Sequence, residues 1–204
     1  GRLGGADAGL DIALERYLVD HFPPWELKRP TLVGEWGGHW DRNTPDRLAG
    51  ELHTGLWQQA VLPYGGNIGF WWWLWVDATA AWGQYRTIAA FLDGDDPRGK
   101  EWRPLRPAVG NPLVRLCGMG CADAYRFYAW ASGLDRRPTV PPITDAGAAT
   151  ILTGQPRSAW AWERWDCATG ELTERGRVVA DDQGLVRLPL TVNPAGTTAM
   201  ITLG

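Results

Sequence analysis

The stretch Thr31-Leu32-Val33-Gly34-Glu35-Trp36-Gly37-Gly38-His39-Trp40 decides how the chain is read. Pro30 to Val33 is a short apolar run, entered through proline and ended by glycine, which predicts a buried strand. It delivers one carboxylate, Glu35, to a turn crowded with glycine, tryptophan and histidine. Burying an unpaired carboxylate is costly, so its place at a strand end calls for an explanation. In α/β barrels the strand ends hold the catalytic groups. The structural alternative for Glu35 is a cap on the next helix or a partner for an arginine.

On either side of this stretch the pattern is helical. Leu10, Ile12, Ala13, Leu14, Tyr17 and Leu18 recur at helical spacing before Phe22-Pro23-Pro24-Trp25 breaks the chain. Thr44-Pro45-Asp46 predicts a helix start, with Thr44 as N-cap and Pro45 in the first turn. Its apolar stripe runs through Leu48, Leu52, Gly55, Leu56, Ala60 and Val61 to a stop at Tyr64-Gly65-Gly66-Asn67. Ile68-Gly69-Phe70-Trp71-Trp72-Trp73 then reads as a fully apolar strand, the kind found in a parallel sheet buried on both faces. Gln84 to Leu92 predicts a further helix, closed by Asp93-Gly94-Asp95-Asp96-Pro97.

Alternation of this kind argues for parallel βαβ units. Two strands cannot close a sheet or shield their edges, so more strands and helices are expected upstream of Gly1. From about residue 103 the composition changes. Prolines 104, 107, 112, 138, 141 and 142 punctuate short strand-like runs. These are Leu113 to Cys117, Ala124 to Ala131, Ala148 to Leu152, Ser158 to Asp166, Thr173 to Ala180, Leu185 to Leu190 and Thr197 to Leu203. Asp166 to Gly170 and Asp181 to Gly184 are hairpin turns, and the whole predicts a small antiparallel β-sandwich. The expected division is 1–102 and 103–204.

Composition narrows the function classes. The chain has 204 residues, 45% hydrophobic and 21% charged, and so has enough apolar content for a core. Its 20 basic and 23 acidic residues leave a net charge of -3 without a basic run, which argues against nucleic acid. The apolar run Ile68 to Val76 is far too short to span a bilayer, so no membrane partner is expected. No secretory signal is recognisable within this chain. Cys117, Cys121 and Cys167 form no zinc-binding pattern and are expected as free thiols, with one disulfide as the alternative. Nothing in the spacing of His39, His53 and the carboxylates argues for a metal, and no cofactor is expected. Tryptophan is the outlier, at 14 residues against five tyrosines and four phenylalanines. It fills cores and also makes flat platforms for ligand faces, such as the C–H faces of sugars.

Three pieces together carry a resemblance: Pro-Thr-Leu-Val-Gly-Glu-Trp-Gly at 30–37, His53 and Trp57 four apart on a helix, and Gly-Phe-Trp-Trp-Trp at 69–73. Their order resembles the last two βα units of a (β/α)8 (TIM) barrel glycoside hydrolase. It is most similar to the cellulase- and mannanase-like retaining clan that includes family 5. Phe91-Leu92-Asp93-Gly94-Asp95-Asp96 resembles the end of the last barrel helix, and the region after it the β-sandwich often appended there.

The resemblance implies that Glu35 is the nucleophile. A retaining glycosidase needs a second carboxyl group about 5 Å away as acid/base. In this clan it stands at the end of strand four, upstream of everything present, and no residue here matches it. Asp41 and Asp77 are the nearest alternatives, and loop carboxylates at helix starts are far more often caps. The aromatic residue expected under the sugar is Trp73, with Trp71 below it as core and Trp82 as a subsite wall. His39 and Trp40 are placed to touch substrate hydroxyls or hold the carboxylate. His53 and Trp57 share a helix face and are expected as buried support. Trp160 and Trp162 are expected on one face with Trp165 opposed, as core or domain interface rather than as a sugar-binding row.

The expectation is therefore the C-terminal part of a retaining β-glycosidase. It would act on an oligo- or polysaccharide, in a secreted or periplasmic full-length protein, and be inactive without the missing N-terminal barrel half. The rival reading is a non-catalytic carbohydrate-binding or scaffold module.

Overall fold

The computed structural model describes residues 10–21, 23–37, 44–66, 69–105, 107–132, 143–193 and 196–203. Helices come first: α1 (Leu10–His21), α2 (Pro24–Leu27), α3 (Pro45–Val61), α4 (Trp73–Ala78) and α5 (Gly83–Leu92). Strands follow: β1 (Arg103–Leu105), β2 (Val114–Gly120), β3 (Ala124–Ala131), β4 (Ala148–Leu152), β5 (Ala159–Asp166), β6 (Leu172–Val179), β7 (Leu185–Pro189) and β8 (Thr197–Leu203).

Helix α3 begins where its sequence signals place it. The Thr44 hydroxyl accepts from the Arg47 amide at 3.3 Å, and Pro45 occupies the first turn, where an N–H is not needed. The helix packs between α1, α5 and strands β2 and β3 and is buried almost all round. Leu52 and Leu56 are fully buried, each contributing about 1.5–3 kcal/mol. Buried Glu51 is answered one turn back by Arg47, Nε to carboxylate at 2.9 Å.

Two extended segments run beside α3 where strands were expected. Gly65 N–H donates to the Thr31 carbonyl and Trp71 N–H to the Trp36 carbonyl, both at 2.8 Å. Thr31 and Trp36 are five residues apart and Gly65 and Trp71 six, so the segments run in the same direction, with α3 as the crossover between them. Among the described residues of these two segments, Trp36 and Phe70 form a bridge, and it is parallel. The expected strand Pro30 to Val33 is therefore corrected to an extended segment. Thr31 and Val33 are buried but Leu32 is 57% exposed, and a bend at Gly34 interrupts pairing.

The tryptophan run is corrected too. After Phe70 the chain turns and enters α4 at Trp73, so side chains no longer alternate between two faces. Trp72, Trp75 and Val76 turn toward the core at helical spacing, whereas Trp71, Trp73 and Leu74 face outward. A short apolar run satisfies helix and strand patterns equally, and the missing strand pairing leaves helix as the better-bonded state.

The second half is antiparallel. A six-stranded sheet, β1-β2-β3-β8-β5-β6, has a two-stranded β4-β7 sheet against it. β3 is buried along its whole length because both of its faces are covered. Tyr125, Phe127 and Ala129 pack with Ile151, Val186 and Leu188 of the two-stranded sheet, while Tyr128 and Trp130 pack toward the helices. Trp160 is buried with the former group, and Trp162 is half-buried against it. Trp165 lies on the opposite face, as strand alternation requires, where it meets Phe91 edge-on at 5.8 Å.

The halves are joined by a continuous aromatic core. Trp57 is fully buried, stacks near Tyr128 at 6.1 Å, and donates its indole N–H to the Cys167 carbonyl at 3.1 Å. Tyr128 in turn stacks on Trp130 at 4.7 Å. Buried Arg126 of β3 pairs with Asp95, in the turn after α5, and lies over the Trp102 ring at 4.9 Å. Gly170, at φ 73°, lets the β5-β6 hairpin press on α5, since a Cβ there would lie 2.8 Å from the Thr87 Cα.

Candidate active site

The Trp36–Phe70 bridge is the structural centre of the candidate site. Trp36 is buried, and its ring meets Phe70 at 4.8 Å. It lies against α3 at Gly55, where a Cβ would come within 2.1 Å of the Trp36 ring. Glycine in mid-helix costs about 0.5–1 kcal/mol relative to alanine, and here it makes room for one indole. From behind, Tyr85 of α5 hydrogen-bonds the Phe70 backbone, while burial raises its phenol above the ordinary value.

With Trp36 anchored, its neighbours in sequence are carried to the surface. Glu35 is exposed, and Trp71, hydrogen-bonded through its amide to Trp36, is 53% exposed. Gly37 lies so close to the second segment that a Cβ there would be 3.2 Å from Trp72 Cδ1 and 3.3 Å from Trp71 Cβ. Trp73, at the start of α4, is 60% exposed. Trp82 is 49% exposed, tilts against Tyr85 at 5.6 Å, and donates its indole N–H toward Asp77 at 3.4 Å.

Of the residues expected at the site, Glu35 adjoins Trp36 and Trp71 adjoins Phe70 in the chain, Trp36 and Phe70 being the two bridged residues. Trp73 and Trp82 lie beyond it in the chain and offer exposed indoles. Trp71 is not core, because the turn at residues 71 and 72 directs it outward. His39 and Trp40 lie outside the described residues, as does Asp41. His53 faces Tyr128 and Trp57 at 6.4 and 6.5 Å, within the core between the halves. Asp77 is tied to Trp82.

Sequence reasoning missed Trp36 and Tyr85 as the residues that position the site. A glycine inside a buried helix stripe was the available signal for the first. Among the described residues, no group of three or more His, Cys, Asp or Glu side chains is placed to hold a metal ion. Cys117, Cys121 and Cys167 are free thiols, and burial pushes Cys117 well above the ordinary range. No helix among the described residues is long and apolar enough to cross a membrane.

No protein-family model matches the chain, and no curated protein matches it either. Solved structures do. One described as a glycoside hydrolase aligns with 100% of this chain and 50% of its own, at 14% identity and a TM-score of 0.50. A glucosidase from Croceicoccus marinus aligns with 96% of this chain and 51% of its own, at 12% identity and a TM-score of 0.41. The first likeness shows a shared fold: this chain has the mixed α/β fold of about half of a glycoside hydrolase. The chain spans about half the length of the structures it matches.

Proposed function

We propose that the chain is the C-terminal part of a retaining glycoside hydrolase, with Glu35 as nucleophile. The observation that supports this is the parallel Trp36–Phe70 bridge between two co-directional segments, with exposed Glu35 next to Trp36 and exposed Trp71 next to Phe70 in the chain. Such an end is where an α/β barrel keeps its chemistry. The half-length match to a glycoside hydrolase structure supports the same reading.

In this mechanism Glu35 attacks the anomeric carbon and forms a glycosyl ester as the leaving oxygen departs. Water then cleaves the ester from the same face, so the configuration is retained. Protonation of the leaving group, and later deprotonation of water, fall to a second carboxyl group from the missing barrel half. Trp73 and Trp71 offer apolar faces to the sugar C–H groups, and Trp82 walls a neighbouring subsite. The β-sheet half buttresses the site through Trp57, Tyr128 and Trp165 rather than binding sugar.

The test compares this chain, the complete barrel protein and its Glu35→Gln variant on oligosaccharides with β-glycosidic bonds. The chain alone is expected to be inactive. The complete protein is expected to hydrolyse, and Glu35→Gln to lose at least about a thousandfold in kcat. Full activity in Glu35→Gln would refute the proposal. Oligosaccharide binding by this chain that does not depend on Glu35 would favour a binding module.

A further inference from the structure

The segment that ends at Glu35 begins, at Pro30, on the wall of a separate groove. The groove has a volume of about 610 Å³, within the range of pockets that take small organic ligands. It forms where the Trp25–Pro30 connection, the turn at Tyr64 and Gly65, and the chain after α5 converge. None of the candidate active-site residues lines it.

Its charge runs against that of the chain. The protein carries a net charge of -3, yet Lys28, Arg29, Arg98, Lys100 and Arg103 line this groove against one carboxylate, Glu101. Three of the cations are engaged. Asp96 holds Arg98 at 2.7 Å, Glu101 approaches Arg103 at 4.0 Å, and the Lys100 ammonium lies 5.6 Å from the centre of the Trp102 ring. Lys28 and Arg29 have no carboxylate partner among the described residues. Lys28 also sits in the left-handed backbone region at φ 52°, which glycine or asparagine occupies at less cost. Trp25, half-buried against the core, supplies an apolar face beside these charges.

We propose that this groove binds a short anionic oligosaccharide, its charge carried by uronate carboxylates or sulfate esters. Lys28 and Arg29 would meet the anionic groups, and Trp25 a sugar face. A polynucleotide fits less well, because it requires a track of cations along its backbone and these five cations cluster in one groove. The proposal stands apart from any role of Glu35.

The test is calorimetric titration of the intact chain, at low salt, with four probes of similar length. They are an oligogalacturonate, a sulfated oligosaccharide, a neutral cello-oligosaccharide and a single-stranded oligodeoxynucleotide. At least one anionic glycan is expected to bind about tenfold or more tightly than the neutral one, and more weakly as salt rises. Whichever anionic glycan binds identifies carboxylate or sulfate as the recognised group. Lys28→Glu with Arg29→Glu, both at exposed positions, should lower that affinity at least about tenfold with unchanged circular dichroism. Lys100→Gln should weaken it in the same direction. Equal binding of neutral and anionic glycans, no binding of either anionic probe, tighter binding of the oligonucleotide, or full affinity in the charge-reversed variant would overturn the proposal.

Discussion

The Trp36 carbonyl accepts a hydrogen bond from the Trp71 amide at 2.8 Å, which fixes the residue after Glu35 to the outward-facing indole at the start of the tryptophan turn. This one contact links the chain neighbours of an exposed carboxylate and an exposed indole 36 positions apart in sequence. Trp36 is the hinge of the arrangement because it is buried on one side and hydrogen-bonded on the other.

Gly55 should therefore be sensitive to a single methyl group. Gly55→Ala gains helix propensity but places Cβ inside the Trp36 ring, and overpacking of this kind costs about 1–3 kcal/mol. A thermal melt should show Tm falling by several degrees rather than rising. In the complete enzyme, kcat should fall with it, since Glu35 follows Trp36.

The aromatic joint predicts one cooperative unit. Trp57→Ala removes a fully buried indole and its bond to Cys167, a loss of about 3–5 kcal/mol. Far-ultraviolet dichroism and tryptophan fluorescence should shift together to lower denaturant, whereas separate transitions would mean that the halves unfold independently.

Much of this fold was legible because its signals are local. Thr44 and Pro45 start α3 as read, and β3, β4 and β8 have the expected bounds. Asp166–Gly170 closes the β5-β6 hairpin as expected, whereas the turn Asp181–Gly184 carries the chain from β6 to β7 of the other sheet and closes no hairpin; glycine takes positive φ at 170 and 184. What was not legible depends on distant partners. The run Phe70 to Trp75 fits helix or strand until its neighbours are known, and it became a bridge residue, a turn and the start of α4. Arg126 with Asp95, and Trp57 with Cys167, bring together residues that no spacing rule connects. For the site, Glu35 and the tryptophans could be nominated, but their exposure and the anchoring role of Trp36 required the packing of α3.

The exposed indoles should matter for ligand and not for folding. Trp73→Ala and Trp71→Ala should each change stability by less than about 0.5 kcal/mol. In the complete enzyme each should raise KM several-fold, as expected for loss of an aromatic contact worth about 0.5–1.5 kcal/mol. A large loss of stability in either variant would return that residue to the core.

The acid limb of stability should depend on Asp181. Amides of Leu185 and Gln183 and the guanidinium of Arg187 bond to this carboxylate, and its pKa is lowered, chiefly by the Leu185 amide. A carboxylate with a depressed folded-state pKa stabilises above the ordinary value of about 4, and that stabilisation is lost as pH falls through the lower folded value. Asp181→Asn should be less stable at neutral pH and show a flatter decline below pH 4 in acid titrations followed by dichroism.

The nucleophile assignment is most directly tested by trapping. The complete barrel protein would be treated with an activated 2-deoxy-2-fluoro glycoside, which forms the glycosyl ester and resists its hydrolysis. Mass mapping of the digest is predicted to place the label on the peptide holding Glu35. Label on a different carboxylate, in an enzyme active on the parent glycoside, would contradict the assignment.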